Sequence, residues 1–175
     1  MRLFIAVNFN TDTRERLIAL REELRSCARR GNFSLDDNLH LTLVFLGNCN
    51  TEQIADAKAA MANLSFEPFR TIVERVGRFK RDAGDIWWAG LREDKPLMNL
   101  QRELSDNLRS AGFAIESRKY SPHITLGREV MTDRAPWRVS PFGEIVMSIE
   151  LMKSERMDGK LTYTAIYQKC LLRKY

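Results

Sequence analysis

Residues 38–47 read NLHLTLVFLG, and residues 121–128 read SPHITLGR. The chain has two histidines, His40 and His123, and each opens a tetrapeptide of histidine, an apolar residue, threonine and leucine. From ordinary residue frequencies, this coincidence has a chance probability of roughly 10⁻⁵ to 10⁻⁴. The repeated tetrapeptide therefore indicates a repeated structural feature.

Both stretches alternate apolar and polar residues with a period of two, which predicts two half-buried β-strands. In the first strand the leucines face the core, whereas His40 and Thr42 share the opposite face, about 6.6 to 6.8 Å apart. In the second strand His123 and Thr125 share a face in the same way. Each strand is thus expected to present one imidazole and one hydroxyl side by side.

This pair of groups suits acid–base chemistry at a phosphate. A neutral imidazole accepts a proton and an imidazolium donates one near physiological pH. A hydroxyl donates a hydrogen bond to a phosphate oxygen without adding charge. Two such pairs facing each other would allow attack and departure at one phosphorus without a metal, so we expect no metal and no cofactor.

Composition indicates an ordinary globular protein. The chain has 175 residues, of which 44% are apolar and 29% charged, and its formal charge of +5 suits a polyanionic partner. The three cysteines lack Cys-x-x-Cys spacing and are expected to be reduced thiols, which favours a cytoplasmic location. The apolar run at the start of the chain stops at Asn8 and is expected to belong to a strand and not to a signal peptide, and no apolar run is long enough to cross a membrane.

Capping and turn residues predict the remaining elements. Asp12 and Asn50 are expected to cap two helices, Pro96 to begin a third, and Gly31 and Gly112 to close the first and third. This mixture of strands, helices and hairpins predicts an α+β fold. The expected strands outside the two histidine stretches are 3–9, 69–79, 85–91, 113–116, 144–153 and 161–172, with an irregular segment at 131–143.

The ordered set of motifs resembles the two-histidine (2H) phosphoesterases, and most closely the RNA 2′,3′-cyclic phosphodiesterases, also called LigT-like 2′-5′ RNA ligases. The resemblance covers nearly the whole chain in family order. The matching stretches are RLFIAV (2–7), NLHLTLVFLG (38–47), VGRF (76–79), WWAGL (87–91) and PHITL (122–126) followed by Arg128. Val44 departs from the pattern, since relatives often carry a basic residue there.

The resemblance implies a two-lobed, pseudo-symmetric fold. Each lobe would be an antiparallel sheet with helices on its outer face, and the active site would lie in the cleft between the lobes. The whole chain, residues 1–175, is expected to form a single domain of two intertwined lobes, and we expect a monomer.

The resemblance also implies the reaction and the role of each site residue. The enzyme would hydrolyse 2′,3′-cyclic phosphate ends of RNA, or nucleoside 2′,3′-cyclic phosphates, to 2′-phosphomonoesters. In the reverse direction it would join RNA ends through a 2′-5′ bond. His40 would be the general acid and His123 the general base, with Thr42, Thr125 and Arg128 binding the phosphate. Strict alternation points Arg128 away from His123, so we expect a bulge near Gly127 that redirects it.

Other readings stay open at this stage. Another 2H phosphoesterase activity, on 2′-5′ oligoadenylate or ADP-ribose cyclic phosphate, would use the same site, and a non-catalytic RNA-binding module would keep the surface without turnover. Aromatic and basic residues at the cleft would bind the base and the RNA backbone. Candidates for the base platform are Phe79, Trp87, Trp88 and Tyr120, and those for the backbone are Arg2, Arg75, Arg78, Lys80, Arg118 and Lys119.

Overall fold

The computed structural model describes residues 1–171, and they form an α+β fold. The helices are α1 (Thr11–Ser26), α2 (Thr51–Ala62) and α3 (Lys95–Ser110), with one 3-10 turn at Asp36–Asn38. The strands are β1 (Arg2–Asn8), β2 (Ala28–Phe33), β3 (His40–Asn48), β4 (Phe69–Arg70), β5 (Val73–Phe79), β6 (Asp85–Leu91), β7 (His123–Thr132), β8 (Trp137–Phe142), β9 (Ile145–Val146), β10 (Ser148–Met157) and β11 (Lys160–Cys170).

Two antiparallel sheets define the two lobes. Sheet one has the strand order β11-β10-β1-β3, and sheet two has the order β2-β7-β6-β5-β8. The strands β4 and β9 form a separate short pair. One histidine strand therefore lies in each sheet, β3 at the edge of sheet one and β7 inside sheet two.

The two halves of the chain exchange elements between the lobes. After β1 of sheet one, α1 and β2 cross over, so that β2 pairs with β7 and α1 packs against both strands. After β6 of sheet two, α3 crosses in the other direction and packs on β3 and α2. Each sheet consequently depends on residues from both halves of the sequence.

Helix α3 buries a stripe of leucines. In α3 the buried residues recur at helical spacing, Leu97, Leu100, Leu104 and Leu108, and all four are at most 1% exposed. Pro96 lies in the first turn of α3, where its missing N–H costs nothing, and Gly112 has φ of +92° just beyond the last turn. Both signals that were expected to bound this helix are confirmed.

The N-terminus of α2 also matches its expected cap. The side chain of Asn50 accepts a hydrogen bond from the backbone N–H of Gln53 at 2.9 Å, and the backbone N–H of Asn50 donates to the side-chain oxygen of Gln53 at 3.0 Å. For α1 the expected cap, Asp12, is wrong. Asn10 caps that helix, because its side chain accepts from the N–H of Thr13 at 2.9 Å.

Other boundaries differ where tertiary pairing overrides local preference. Gly31 does not close α1, which ends at Ser26; it lies in β2, a strand of Arg, Gly and Asn whose pairing with β7 is not visible in its composition. Residues 113–116 form no strand, and 137–142 of the expected irregular segment form β8 although Pro141 lies within it. The expected last strand ended at Leu172, which lies outside the described residues.

Candidate active site

The two imidazoles are held in the same way. His40 Nδ1–H donates to the carbonyl of Asn38, and His123 Nδ1–H donates to the carbonyl of Ser121, each at 2.7 Å. A carbonyl can only accept, so the proton of each neutral ring stays on Nδ1. Both rings are half-buried. In each case Nε2 is left as the nitrogen that can exchange a proton with a bound molecule.

The two threonines lie where the alternation placed them. Thr42 and Thr125 are half-buried, and each is flanked by buried leucine or isoleucine neighbours that face the core. The hydroxyl of Thr42 lies 2.9 Å from His40 Nε2, so it donates to that nitrogen while the ring is neutral. A hydroxyl is therefore next to the reactive nitrogen in the first motif.

Each histidine strand contains a bulge just after its threonine. In β3, Thr42 and Val44 lie opposite consecutive residues of β1, so Leu43 is the extra residue. In β7, Thr125 and Gly127 lie opposite consecutive residues of β6, so Leu126 is extra. A bulge shifts the alternation of side chains by one position. The register change that we expected near Gly127 is therefore present.

The bulges bring the next side chain onto the histidine face. In β3 this residue is Phe45, which pairs with Phe4 and has its ring centroid 6.3 Å from that of Phe4, while Phe4 itself lies 4.8 Å from His40. In β7 the residue at the same offset is Arg128, which is exposed. The lobes thus place an aromatic ring and a guanidinium group at equivalent positions.

Electrostatics link the two motifs. Burial is the main cause that lowers the pKa of His40 to about 4; the hydrogen bond to the Asn38 carbonyl opposes it, and the charges of Arg128 and His123 lower it further. Burial also lowers the pKa of His123, with a further contribution from Arg128. The charge of Arg128 thus reaches both rings, and the strands β3 and β7 that carry the two motifs contact each other.

Aromatic rings surround both imidazoles. Phe4 and Tyr163 lie against His40, with centroids 4.8 and 5.1 Å away, and Phe79 and Trp88 lie against His123 at 5.2 and 6.2 Å. These apolar neighbours explain the desolvation of both rings. Neither Phe4 nor Tyr163 was among the site residues expected from the sequence, although Phe4 follows the same period-two alternation along β1.

Tyr163 reaches the site because the β10–β11 hairpin bends over sheet one. The strands β11 and β3 occupy opposite edges of that sheet, yet the Tyr163 ring contacts His40. The side chain of Asn38 also donates to the carbonyl of Leu161 at 2.8 Å. The same Asn38 residue therefore holds the His40 ring through its carbonyl and the hairpin through its amide.

Two of the four residues expected as a base platform are not available for it. Trp87 is 0% exposed and belongs to the core, and Tyr120 packs its ring on the core while its hydroxyl donates to a backbone carbonyl. Trp88 and Phe79 do lie at the site, with ring centroids 5.3 Å apart. A buried tryptophan next to a half-exposed one in β6 follows from strand alternation.

Among the expected backbone contacts, two arginines lie beside the tryptophans. Arg75 lies 5.6 Å from the Trp88 ring, and Arg78 lies 5.5 Å from that of Trp87 while pairing with Asp85 at 3.5 Å. Burial raises the pKa of Tyr163, and the nearby charge of Arg2 acts in the opposite direction. Arg118 and Lys119 pair with Glu116 and Glu93 on the surface.

Within residues 1–171, no three His, Cys, Asp or Glu side chains are grouped as a metal site would require. The three cysteines are free thiols, with Cys49 buried and the other two exposed. No helix in the described part of the chain has the length and apolar character needed to cross a membrane.

Each of the two sheets contains one His-x-Thr strand, and the charge of Arg128 acts on both imidazoles. This arrangement defines a phosphoesterase of the two-histidine type. The family described as LigT like Phosphoesterase matches residues 7–88 and 90–156. The chain belongs to this family.

The chain is similar to known proteins both in sequence and in fold. An RNA 2′,3′-cyclic phosphodiesterase of Archaeoglobus fulgidus is 31% identical over 130 residues, which cover 73% of this chain and 72% of that protein. A protein of the same name from Thermotoga maritima is 32% identical over 131 residues, covering 73% and 70%. The crystal structure of Escherichia coli LigT complexed with 3′-AMP has a TM-score of 0.85, with 25% identity and 98% of each chain covered.

Proposed function

We propose that the protein is an RNA 2′,3′-cyclic phosphodiesterase that hydrolyses the cyclic phosphate to a 2′-phosphomonoester by acid–base catalysis with its two histidines. The observation that carries this proposal is the pair of imidazoles fixed through Nδ1, which leaves Nε2 as the proton-exchanging nitrogen of each ring, with both rings in the field of Arg128. Membership of the family and the shared name of the relatives support the same reaction.

In the proposed mechanism, His123 Nε2 takes a proton from water as the water oxygen bonds to phosphorus. His40 Nε2 gives a proton to the 3′ oxygen as the P–O3′ bond breaks. Thr42, Thr125 and Arg128 donate hydrogen bonds to the non-bridging oxygens as negative charge accumulates on them. The products are a 2′-phosphomonoester and a free 3′-hydroxyl; His123 ends protonated and His40 neutral, and proton exchange with solvent restores the starting state.

The low pKa of His40 requires that the substrate help to protonate it. With a pKa of about 4, this ring is mostly neutral at pH 7 in the free protein. A bound phosphodiester carries a negative charge, which opposes that of Arg128 and favours the imidazolium. The acid role of His40 thus belongs to the substrate complex, in which the hydroxyl of Thr42 is released to bind phosphate.

Several further expectations complete the proposal. RNA ends with cyclic phosphates are the partners, and a 5′-hydroxyl of RNA replacing water would form a 2′-5′ bond through the same groups. The chain acts as one domain, since each sheet takes strands from both halves. A monomeric state and a cytoplasmic location, the latter suited to three free thiols, belong to the same proposal.

We expect Trp88 to support the nucleobase, and Gly77 to be necessary for its position. The indole lies directly over Gly77, where a Cβ would come within 2.4 Å of the ring. The substitution Gly77→Ala should therefore displace Trp88 and raise KM for 2′,3′-cyclic AMP at least about fivefold, since stacking contributes about 1–3 kcal/mol per base. Steady-state kinetics measure the change, and a parental KM with a shifted tryptophan emission would contradict a stacking role.

The reaction itself is tested by product analysis. Purified protein should convert 2′,3′-cyclic AMP to 2′-AMP in the presence of excess EDTA, because no step of the mechanism needs a metal. Chromatography that separates 2′-AMP from 3′-AMP identifies the bond that is cleaved. Formation of 3′-AMP, or inhibition by EDTA, would contradict the mechanism.

Parallel assays with other substrates separate the proposed reaction from the alternative functions. Faster turnover of ADP-ribose cyclic phosphate or of 2′-5′ oligoadenylate would assign the site to another 2H activity. Tight RNA binding without turnover of any of these substrates would indicate a binding module.

A further inference from the structure

Two side-chain hydroxyl groups form hydrogen bonds between the two halves of the sequence, and each donates to the threonine of the other half's motif. The hydroxyl of Tyr120 donates to the backbone carbonyl of Thr42 at 2.8 Å. The hydroxyl of Ser34 donates to the backbone carbonyl of Thr125, also at 2.8 Å. Each donor lies in the segment that leads into one histidine strand, and each acceptor lies in the other histidine strand.

The bulges interrupt the backbone ladder next to both of these carbonyls. The extra residues Leu43 and Leu126 directly follow Thr42 and Thr125, and a bulge interrupts the local ladder of backbone hydrogen bonds. A buried carbonyl without a partner costs free energy comparable to a lost hydrogen bond. A hydroxyl from the opposite half meets this requirement in each motif.

The donor segments also hold the histidines. Tyr120 is adjacent to Ser121, whose carbonyl fixes the ring of His123. Ser34 begins the turn that ends at Asn38, whose carbonyl fixes His40. Each segment therefore contacts its own histidine and the threonine of the other motif, so the two hydrogen bonds constrain the same separation between the motifs.

Both donor segments are firmly anchored. The ring of Tyr120 packs on the core, and burial raises the pKa of its phenol, which keeps the hydroxyl protonated. Ser34 donates its backbone N–H to Leu126 at 2.9 Å, and its carbonyl accepts from Arg21 at 2.7 Å. Arg21 is itself only 6% exposed and pairs with Asp36 at 2.6 Å.

We propose that Tyr120 and Ser34 are positioning residues, whose reciprocal hydrogen bonds to Thr42 and Thr125 set the distance at which the two His-Thr motifs act on one phosphate. The proposal rests on the two-histidine function proposed above. Neither hydroxyl is available to substrate, because each is used in a bond to the backbone. Their effect reaches the reaction through the placement of both motifs, where small displacements reduce rate more than binding.

Single substitutions that remove only the hydroxyls test this role. Tyr120→Phe and Ser34→Ala should each lower kcat about tenfold and leave KM within about twofold, as expected when transition-state alignment is lost. Ser34→Thr keeps a hydroxyl and should retain most of the activity. The matched controls are Tyr167→Phe, a partly buried tyrosine of β11, and Ser26→Ala, whose hydroxyl donates to Glu23 at the end of α1; both should behave as the parent.

The double variant tests whether the two bonds constrain one distance. Since the first loss already releases the motifs, Tyr120→Phe with Ser34→Ala should lower kcat by clearly less than the product of the two single losses. Three results would overturn the proposal. The first is a loss of kcat in the double variant equal to the product of the two single losses, and the second is parental kcat in both folded single variants. The third is a Ser34→Thr variant as slow as Ser34→Ala. If Tyr120→Phe does not fold, the Ser34 series decides alone.

A readout independent of turnover separates this proposal from the proposed function. The chain has two histidines, so the NMR spectrum should contain two sets of imidazole resonances. Ser34→Ala should shift the resonances of both His40 and His123, whereas Ser26→Ala should shift neither. A parental protein without activity would refute the function alone, and unchanged resonances in Ser34→Ala would refute the positioning role.

Discussion

Replacing His123 with glutamine is expected to lower kcat for 2′,3′-cyclic AMP by at least about 10³-fold, and replacing His40 with glutamine should have an effect of similar size. Each imidazole transfers one proton in the proposed mechanism, and such a group typically contributes about 10² to 10⁴ in rate. Glutamine keeps a hydrogen-bonding side chain of similar length but cannot exchange the proton. Single-turnover kinetics with excess protein would detect the residual rate.

The double variant distinguishes catalysis from general damage. Because the two proton transfers belong to one reaction, replacing both histidines should cost little more than replacing one. Circular dichroism and melting temperature should match those of the parent, since both rings lie at the edge of the core. A single variant that retains more than a tenth of parental kcat would exclude an acid–base role for that histidine.

These variants also make the two pKa values measurable. In His123→Gln the one remaining imidazole is His40, and its proton resonance should titrate far below pH 6.5, since burial lowers its pKa to about 4. Loss of the His123 charge acts in the opposite direction, by a smaller amount. In the parent, both limbs of the kcat/KM profile report the free protein and should therefore lie on the acid side of pH 6.5.

The histidine strands could be predicted from sequence because their determinants are local. Alternation alone placed Thr42 beside His40 and Thr125 beside His123, and the caps of α2 and α3 were readable from Asn50 and Pro96. The family resemblance supplied the two-lobed arrangement, which no local pattern contains.

The remaining parts depend on contacts between distant segments. β2 is a strand because β7 offers it a pairing edge, and Tyr163 lies against His40 because a long hairpin bends over sheet one. The Ser34 and Tyr120 hydrogen bonds join residues 91 and 78 positions apart in sequence. Periodicity carries no information about such pairs, so these features needed the folded structure.

The bulge after Thr125 depends both on the local sequence and on contacts with distant segments. Without it, Arg128 would face the core side of sheet two, where an unpaired guanidinium cannot be accommodated. Gly127 is itself closely packed, since a Cβ there would lie 3.0 Å from Val130 Cγ2 and 3.1 Å from Phe33 Cδ1. The register change thus turns Arg128 to the face on which its charge acts on both imidazoles.

Replacing Arg128 with glutamine is accordingly expected to have two effects. The first is a loss of about 10²-fold in kcat, the magnitude typical of a donor that stabilises developing negative charge. The second is a shift of both limbs of the kcat/KM profile to higher pH. The positive charge of Arg128 lowers the pKa of His40 and of His123, so its removal raises both.

Arg128→Lys separates these two effects. The lysine keeps the positive charge, so the pH profile should stay near that of the parent, while the loss of the planar, two-pronged donor should still reduce kcat. Arg29→Gln is the matched control, because Arg29 pairs with the exposed Asp133 at 2.6 Å near the far end of β7 and should leave both quantities unchanged. An unshifted profile in Arg128→Gln would mean that the guanidinium does not share the field of the two histidines, and the proposed site would then lose its phosphate-binding cation.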